Sequence, residues 1–399
     1  MRENERLFTF EFVSLNVISF FAFCNMSVFY SFFGYLARIG IPAEWRGFLV
    51  GLEPMSAFAL RLAVVPLLTL RNAATAMLVA LVMLVVALCS YVEVATIPGL
   101  VVLRMFHGAA FVLLVSASMT LMVHFIPKAK SGQGFGLASL SVLVPYAIMP
   151  PMTEILLTRT RNEAEIYRWI TLLAAPAFVL LLFLRRRLNS RLGRIDEALA
   201  RRPASAEIRQ NLRRPSIVLI LTVNLFLYLC YASVFFFMKG NLATRSIAEV
   251  GGFFTVSTLV MIGTRLSGTL FFDEIDKTKM LQVGMLVLAP CFILLGQVNS
   301  DRMLYLLAGY YGLCIGLIVP LLNALLFAAS PPQVRGVNTN LSLFLMDAGF
   351  FLSPYAGGVF LAAGYSYASL FNVCAGLTVV DLVLLLVLGN FKGVTIAEN

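Results

Sequence analysis

The segment SVFYSFFGYLA at residues 27–37 recurs as SVFFFMKGNLA at residues 233–243, and the two copies are identical at six of eleven positions. The offset between them is 206 residues, and it settles at 204 further along the chain. The pairs that match at this second offset are Arg61 with Arg265, Gly108 with Gly312, Pro127 with Pro331, Gly132 with Gly336, and Pro150 with Pro354. The sequence therefore predicts two related halves.

The composition indicates that lipid is the solvent for most of the chain. Its 399 residues are 60% hydrophobic and 13% charged, whereas soluble domains carry about 25% charged residues. Apolar runs of roughly 20 residues recur along the chain, and each can cross a hydrocarbon core about 30 Å thick. These runs are too long and too continuously apolar for the strands of a membrane barrel, so we expect transmembrane helices.

The apolar runs number twelve. They lie near residues 8–37, 44–69, 73–95, 97–126, 131–158, 165–187, 215–243, 247–272, 278–297, 301–330, 333–362 and 366–390. Six helices per repeat is an even number, so both copies cross the membrane in the same direction, related by a pseudo-two-fold axis along its normal. The predicted fold is an all-α membrane protein of two six-helix bundles, at residues 1–187 and 215–399, joined by a cytoplasmic linker at 188–214.

The net charge of +10 is explained by membrane topology. Lys and Arg concentrate in alternate loops, and such an excess marks the cytoplasmic side. We therefore expect both termini and the linker in the cytoplasm, and no nucleic-acid partner. In the linker Leu188, Leu192, Ile195 and Leu199 stand at helical spacing among arginines. This pattern fits either an amphipathic helix on an anionic leaflet or a solvated charged linker.

The segment RMFHGAA at residues 104–110, in helix four, is similar to the R-x-x-q-G motif of the major facilitator superfamily, with His107 in place of Gln. The resemblance extends over essentially the whole chain. It implies a secondary active transporter that moves a small organic solute by alternating access, as a monomer without a cofactor. It also implies that Arg104 takes part in proton coupling or substrate binding. The expected location is a plasma membrane, namely the inner membrane of a bacterium.

Two further motifs resemble elements of that superfamily. Between helices eight and nine, the motif that latches helices in one access state is matched by Arg265, Gly268, Asp273, Asp276, Lys277 and Lys279. The first-half copy keeps Arg61 but has Thr69 and Asn72 in place of the two aspartates. In helix eleven, an element associated with antiport is matched by Gly349, Pro354, Gly357 and Gly358, whereas helix five, where that element is expected, has prolines instead.

Charged side chains inside a membrane cost about 2.5–3.5 kcal/mol each on insertion scales, so each suggests a function. We expect Glu53 and Arg104 to lie close together on neighbouring helices, either as a proton-coupling pair or as a static pair that fixes packing. Asp347 in helix eleven is a second candidate for coupling. Asp381 is expected near the cytoplasmic end of helix twelve, where its carboxylate would reach water.

The resemblance also implies that helices one, four, seven and ten line a substrate cavity. The candidate lining residues are Asn16, Asn25, Tyr30, His107, Asn224, Tyr228, Tyr231, Tyr310, Tyr311 and Asn323, besides Arg104. Such a lining suits an amphipathic or aromatic solute, and Arg104 favours an anion. The same aromatic residues are also compatible with plain helix packing.

Several functions remain open from the sequence. Proton-coupled efflux is the leading prediction, and the alternatives are uptake of an organic anion by proton symport and a receptor or scaffold that transports nothing. The sequence has no G-x-x-x-x-G-K-[ST] loop, which argues against ATP-driven transport by this chain alone. It also has no H-E-x-x-H or G-x-S-x-G motif, so we expect no enzyme activity and no bound metal.

Overall fold

The computed structural model describes residues 6–192, 203–245 and 250–390, and within these ranges the chain forms helices and no strands. The first six long helices are α1, Phe10–Ser27 continued as Phe32–Arg38; α2, Ala43–Val64; α3, Ala73–Ser90; α4, Ile97–Phe125; α5, Ser131–Leu157; and α6, Glu163–Ile170 continued as Ala174–Leu192. The next six are α7, Pro215–Ala243; α8, Val250–Gly268; α9, Lys277–Gly296; α10, Asp301–Ala329; α11, Arg335–Ala362; and α12, Tyr367–Asn390. A short helix, Ser205–Leu212, precedes α7.

These twelve helices follow the predicted apolar runs closely, except that α2, α3 and α8 end four or five residues before the predicted runs do. After α2 the chain forms a 3-10 turn at Val65–Leu67, where Pro66 has no backbone N–H with which to continue a helix. After α8 the chain turns at Gly268, and the ring of Phe272 packs so closely there that a Cβ atom at this position would overlap it. The charged motif between α8 and α9 therefore occupies a turn and not the end of a helix.

Ten of the helices in the described ranges, all except α2 and α8, are long and apolar enough to cross a membrane.

Several of the twelve helices begin with a polar side chain that caps their first backbone amides. Asn162 accepts a hydrogen bond from the amide of Glu165 at the start of α6, and Ser300 accepts one from Met303 at the start of α10. Such side chains satisfy amides that have no partner within the helix.

Contacts within the chain define two compact units. Unit 1 consists of Met1–Pro127, Leu140–Ala204 and Arg335–Asn340. Unit 2 consists of Lys128–Ser139, Ser205–Val334 and Leu341–Asn399. In the predicted linker, Leu188 is buried near the end of α6, whereas Ile195 and Leu199 lie outside the described residues.

The sequence repeat has a counterpart in the packing of each unit. In unit 1, a Cβ atom at Gly108 of α4 would lie 2.6 Å from the backbone oxygen of Glu53 in α2. In unit 2, a Cβ atom at Gly312 of α10 would lie 2.5 Å from the backbone oxygen of Ser257 in α8. Both pairs are related by the offset of 204 residues. The fourth helix of each repeat thus approaches the second at an equivalent glycine.

Candidate functional site

Arg104 lies inside unit 1, where α4 meets α2. The close approach at Gly108, one turn later, brings the guanidinium of Arg104 against the α2 backbone. Its Nε donates to the Leu49 carbonyl at 3.1 Å, and its Nη2 donates to the Val50 carbonyl at 3.0 Å. The same nitrogen lies 3.7 Å from Oε2 of Glu53, and each of these two side chains is only 4% exposed. The predicted proximity of Glu53 and Arg104 is thus observed.

Aromatic side chains surround this ion pair. The guanidinium carbon of Arg104 lies 4.7 Å from the ring centre of Phe32 and 5.4 Å from that of Phe29, which are favourable cation–π distances. The ring of Tyr167 stacks on Phe29 with 4.1 Å between centroids. The hydroxyl of Tyr91 accepts a hydrogen bond from Nη1 of Arg104 at 3.4 Å. The cation is therefore held by rings, carbonyls and one carboxylate.

His107 belongs to the same cluster. Its Nδ1 lies 3.3 Å from the Tyr91 hydroxyl, and its Nε2 has no hydrogen-bond partner among the described residues. His107 is fully buried, and a second positive charge beside Arg104 would be repelled. We therefore interpret His107 as a neutral ring that positions Tyr91.

The distance between the Arg104 guanidinium and the Glu53 carboxylate indicates how tightly the two groups are bound to each other. Charge-assisted hydrogen bonds from a guanidinium to a carboxylate are typically about 2.7–2.9 Å long, so a separation of 3.7 Å leaves room for adjustment. A guanidinium can also bind a planar carboxylate through two parallel hydrogen bonds.

Other predicted lining residues of unit 1 form hydrogen bonds within or between helices. Asn16 donates to the Phe12 carbonyl at 2.8 Å and accepts a hydrogen bond from the Ser141 hydroxyl at 3.0 Å. Asn25 donates to the Phe21 carbonyl at 2.9 Å, while its side-chain oxygen has no partner in the described ranges. The side chain of Tyr30 lies outside the described residues.

Unit 2 contains a cluster of tyrosines around α7 and α10. The ring of Tyr231 stacks with Tyr311 at 6.3 Å and lies 6.2 Å from Tyr228. Arg265 of α8 is near enough to interact electrostatically with both Tyr228 and Tyr231. Asp347 of α11 interacts with Tyr228 in the same way. The predicted coupling residue Asp347 is therefore within electrostatic range of Tyr228, a predicted lining residue.

A chain of polar side chains continues from this cluster. Asn224 donates to the Ser342 hydroxyl at 2.8 Å, and Ser342 donates to the side-chain oxygen of Asn323 at 3.4 Å. Tyr310 is placed differently, because its hydroxyl donates to the Val287 carbonyl of α9 at 2.5 Å. Of the predicted tyrosines, Tyr310 therefore serves a contact between α9 and α10.

Two of the predicted gating residues, Asp273 and Asp276, form helix caps in unit 2. Asp273 accepts hydrogen bonds from the amides of Gly132 at 2.7 Å and Gln133 at 3.2 Å, which are the first residues of α5. Burial raises the pKa of the Asp273 carboxyl, while those two amides and the charges of Lys277 and Lys130 lower it. Asp276 caps its own helix, α9, by accepting from the amides of Thr278 at 3.0 Å and Lys279 at 3.1 Å.

The equivalent turn in unit 1 is closed locally. The Thr69 amide donates to the Asn72 side chain at 2.7 Å, and the Asn72 amide donates to the Thr69 hydroxyl at 3.3 Å. The two equivalent arginines also differ in their bonds. Arg61 donates to the Ser116 hydroxyl of α4 at 3.0 Å, whereas Arg265 donates to the Ser139 carbonyl of α5 at 3.3 Å.

A family model described as "Major Facilitator Superfamily" matches residues 15–354. The chain belongs to the major facilitator superfamily. No curated protein sequence matches it significantly. Both the all-α fold of two six-helix bundles and the resemblance drawn from helix four are thereby confirmed.

Solved structures of superfamily members share this fold at low sequence identity. The human organic anion transporter MFSD10 (TETRAN) has a TM-score of 0.72 and 16% identity, covering 94% of this chain and 99% of its own. The transporter FucP, in an outward conformation, has a TM-score of 0.73 and 10% identity, covering 96% and 99%. The proton:xylose symporter XylE has a TM-score of 0.69 and 11% identity, covering 94% of each chain.

Membership of this transporter superfamily supports secondary transport across a membrane as the general function. Within that frame, the sequence analysis missed several residues of the site. Tyr91, the residue directly after α3, accepts a hydrogen bond from Arg104, but no sequence pattern identifies it as a partner of that arginine. Phe32 also contacts Arg104. A signal was present for Phe32 and Phe29, because both fall in the repeated segment at residues 27–37.

Proposed function

We propose that this chain is a proton-coupled secondary transporter of a small organic anion, and that anion and proton bind together at Arg104 and Glu53. The observation that carries the proposal is the buried ion pair with 3.7 Å between Nη2 of Arg104 and Oε2 of Glu53. We also propose, from the charge distribution, that both termini lie in the cytoplasm of a bacterial cell and that the chain acts as a monomer.

The coupling follows from charge balance at a buried site. In the absence of substrate, Glu53 compensates the charge of Arg104. An anion that binds Arg104 takes over that role, and a displaced Glu53 would then be a buried charge without compensation. Protonation of Glu53 removes that cost. Anion and proton are then bound in the same state, so they cross together as in symport.

The surroundings of Arg104 indicate what kind of anion fits. The Phe29 and Phe32 rings lie against the guanidinium, and Tyr167 packs against both of them. Aromatic rings of this kind can contact the apolar body of a solute. Arg104 offers a planar group that binds carboxylates through two hydrogen bonds. An aromatic carboxylate has both an apolar ring and a carboxylate group. In support, one structure of similar fold is that of a human organic anion transporter, and another is that of a proton:xylose symporter.

Proton-coupled efflux by antiport is the second candidate, and it is favoured by the glycines of α11. A Cβ atom at Gly349 would lie 2.8 Å from the carbonyl carbon of Tyr228, and one at Gly357 would overlap the ring of Phe237. The glycine element that resembles an antiport motif therefore does allow close packing of α11 on α7. A cationic solute that bound Glu53 would displace a proton and so produce antiport.

The two candidates are separated by thermal-shift measurements on the purified chain with three matched probes: benzoate, benzyl alcohol and benzylamine. We expect benzoate alone to raise the Tm, because only it carries a carboxylate. Arg104→Ala should abolish the shift, and Arg168→Ala, which removes an exposed arginine of the same unit, should leave it unchanged. A ligand at 100 times its Kd stabilises by about 2.7 kcal/mol.

Other results of these measurements would favour a different function. Stabilisation by benzylamine that is lost in Glu53→Gln would favour antiport of a cation. An equal response of wild type and Arg104→Ala to benzoate would remove Arg104 from the binding site and overturn the proposal. Binding of benzoate without any proton movement would favour a receptor that transports nothing.

A further inference from the structure

Asp381 lies within α12, far from water at either end of the helix. Only 1% of the residue is exposed. At a rise of 1.5 Å per residue, it is roughly 14 Å from the last residue of α12 and roughly 21 Å from the first. An aspartate side chain is too short to cover either distance. The expectation that Asp381 reaches water is therefore wrong.

The face of α12 that carries Asp381 packs against α7 and α9. On one side of Asp381, the Cys230 thiol of α7 donates to the Cys374 carbonyl at 3.5 Å. On the other side, the Gln282 side chain of α9 donates to the Leu385 carbonyl at 2.9 Å. Asp381 thus lies between two contacts that hold α12 to its neighbours.

Neither carboxyl oxygen of Asp381 has a hydrogen-bond partner in the part of the chain that the structure describes. The nearby donors are engaged elsewhere. The Thr378 hydroxyl, one turn earlier, donates to the Cys374 carbonyl at 2.9 Å, and the Gln282 amide is bonded to Leu385. An ionised carboxylate in such a place would cost several kcal/mol, because burial removes its hydration and no donor replaces it.

Among the described residues of α7, α9 and α12, no cation stands near enough to compensate a charge on Asp381. Within the described residues of α12, Asp381 is the only charged residue. In α7 the one charged residue is Lys239, which is exposed, and the Cys230 thiol lies within electrostatic range of Asp381. In α9 the charged residues are Lys277 and Lys279, both in the first turn. Lys277 interacts with Asp273, which lies outside α12.

We propose that Asp381 is a proton-binding site, separate from Arg104 and Glu53, which is occupied while α12 packs against α7 and α9. The proton converts the carboxylate to a neutral acid, which is far less costly to bury. Loss of the proton leaves a bare charge between three helices, and hydration of that charge requires α12 to move away from α7 and α9. Protonation of Asp381 therefore controls the packing of α12. This inference does not depend on the identity of the solute.

Infrared spectroscopy of the full chain tests the proton directly. We expect the wild-type minus Asp381→Asn difference spectrum at neutral pH to contain the C=O band of a protonated carboxylic acid. The matched control is Asp301→Asn, which changes an exposed aspartate of the same unit and should remove carboxylate bands only. Carboxylate bands in the Asp381→Asn difference spectrum would overturn the proposal. If Asp381→Asn fails to fold, Asp381→Glu should keep a protonated band at a shifted frequency.

The natural cysteines supply a second readout for the packing of α12. Cys230 and Cys374 are buried where α7 meets α12, so maleimide labelling of Cys374, followed by mass spectrometry, reports their separation. We expect wild type to be labelled several-fold faster than Asp381→Asn at alkaline pH, and both equally slowly at pH 6. Because wild type and Asp381→Asn are compared at the same pH, the ionisation of the thiol affects both labelling rates equally. Equal rates at every pH would contradict a link between the proton and helix packing.

Discussion

The backbone amide of Gly132 donates a 2.7 Å hydrogen bond to Oδ1 of Asp273. The second carboxylate oxygen accepts from the amide of Gln133 at 3.2 Å. A residue in the turn after α8 therefore caps α5, a helix more than a hundred positions earlier in the sequence. Two amides that have no partner within α5 are satisfied in this way.

Replacement of Asp273 by Ala should destabilise the first turn of α5. Loss of a helix cap typically costs about 0.5–2 kcal/mol, and two amides lose their acceptor here. We expect hydrogen exchange at Gly132 and Gln133 to be faster in Asp273→Ala than in wild type. The matched control is Asp276→Ala, which removes the cap of α9 and should accelerate exchange at Thr278 and Lys279 instead. Unchanged exchange at Gly132 in Asp273→Ala would show that another group caps α5.

Alanine at Gly108 or at Gly312 should destabilise the protein, because the added methyl group meets a backbone oxygen that cannot move freely. The distances from the added Cβ atom would be 2.6 Å to Glu53 and 2.5 Å to Ser257. Overpacking of this kind costs about 1–3 kcal/mol. Gly309→Ala is the control, since nothing lies within 4 Å of a Cβ atom there. We expect a lower Tm for the first two variants and an unchanged or higher Tm for the third.

The ion pair between Arg38 and Glu163 should respond differently to loss of each partner. Nε of Arg38 donates to Oε2 of Glu163 at 3.2 Å, and the side chains are 57% and 0% exposed, respectively. Arg38→Ala leaves a buried carboxylate without its cation, which costs about 3–5 kcal/mol. Glu163→Gln leaves an arginine that water can hydrate, so its effect on Tm should be smaller.

The double variant of this pair is the decisive comparison. Adding Glu163→Gln to Arg38→Ala removes the buried charge. The double variant should therefore have a higher Tm than Arg38→Ala alone. An Arg38→Ala variant as stable as wild type would show that Glu163 does not need its partner.

The sequence could predict the number and limits of the helices because apolar runs of membrane length leave few alternatives. It also predicted that Glu53 and Arg104 would meet, since both lie at similar depths on adjacent helices. It could not predict Tyr91 as a partner of Arg104. Helices such as α3 are apolar all round, so their sequence does not fix which face turns inward.

The burial of Asp381 is a second feature that the sequence could not predict. Its position along α12 suggested access to water, because a short distance to the helix end was assumed. Burial of that face against α7 and α9 is a property of tertiary packing and leaves no local mark in the sequence. The capping by Asp273 escaped prediction for a similar reason, since its partners are distant along the chain.

The exchange of proton and anion at Arg104 and Glu53 is tested most directly by measuring proton uptake when benzoate is added to the purified chain. In a weakly buffered solution near pH 7, a pH-sensitive dye reports protons taken from the medium. The account predicts uptake approaching about one proton per bound anion in wild type, and binding without uptake in Glu53→Gln. Release of protons on binding, or equal uptake by wild type and Glu53→Gln, would contradict it.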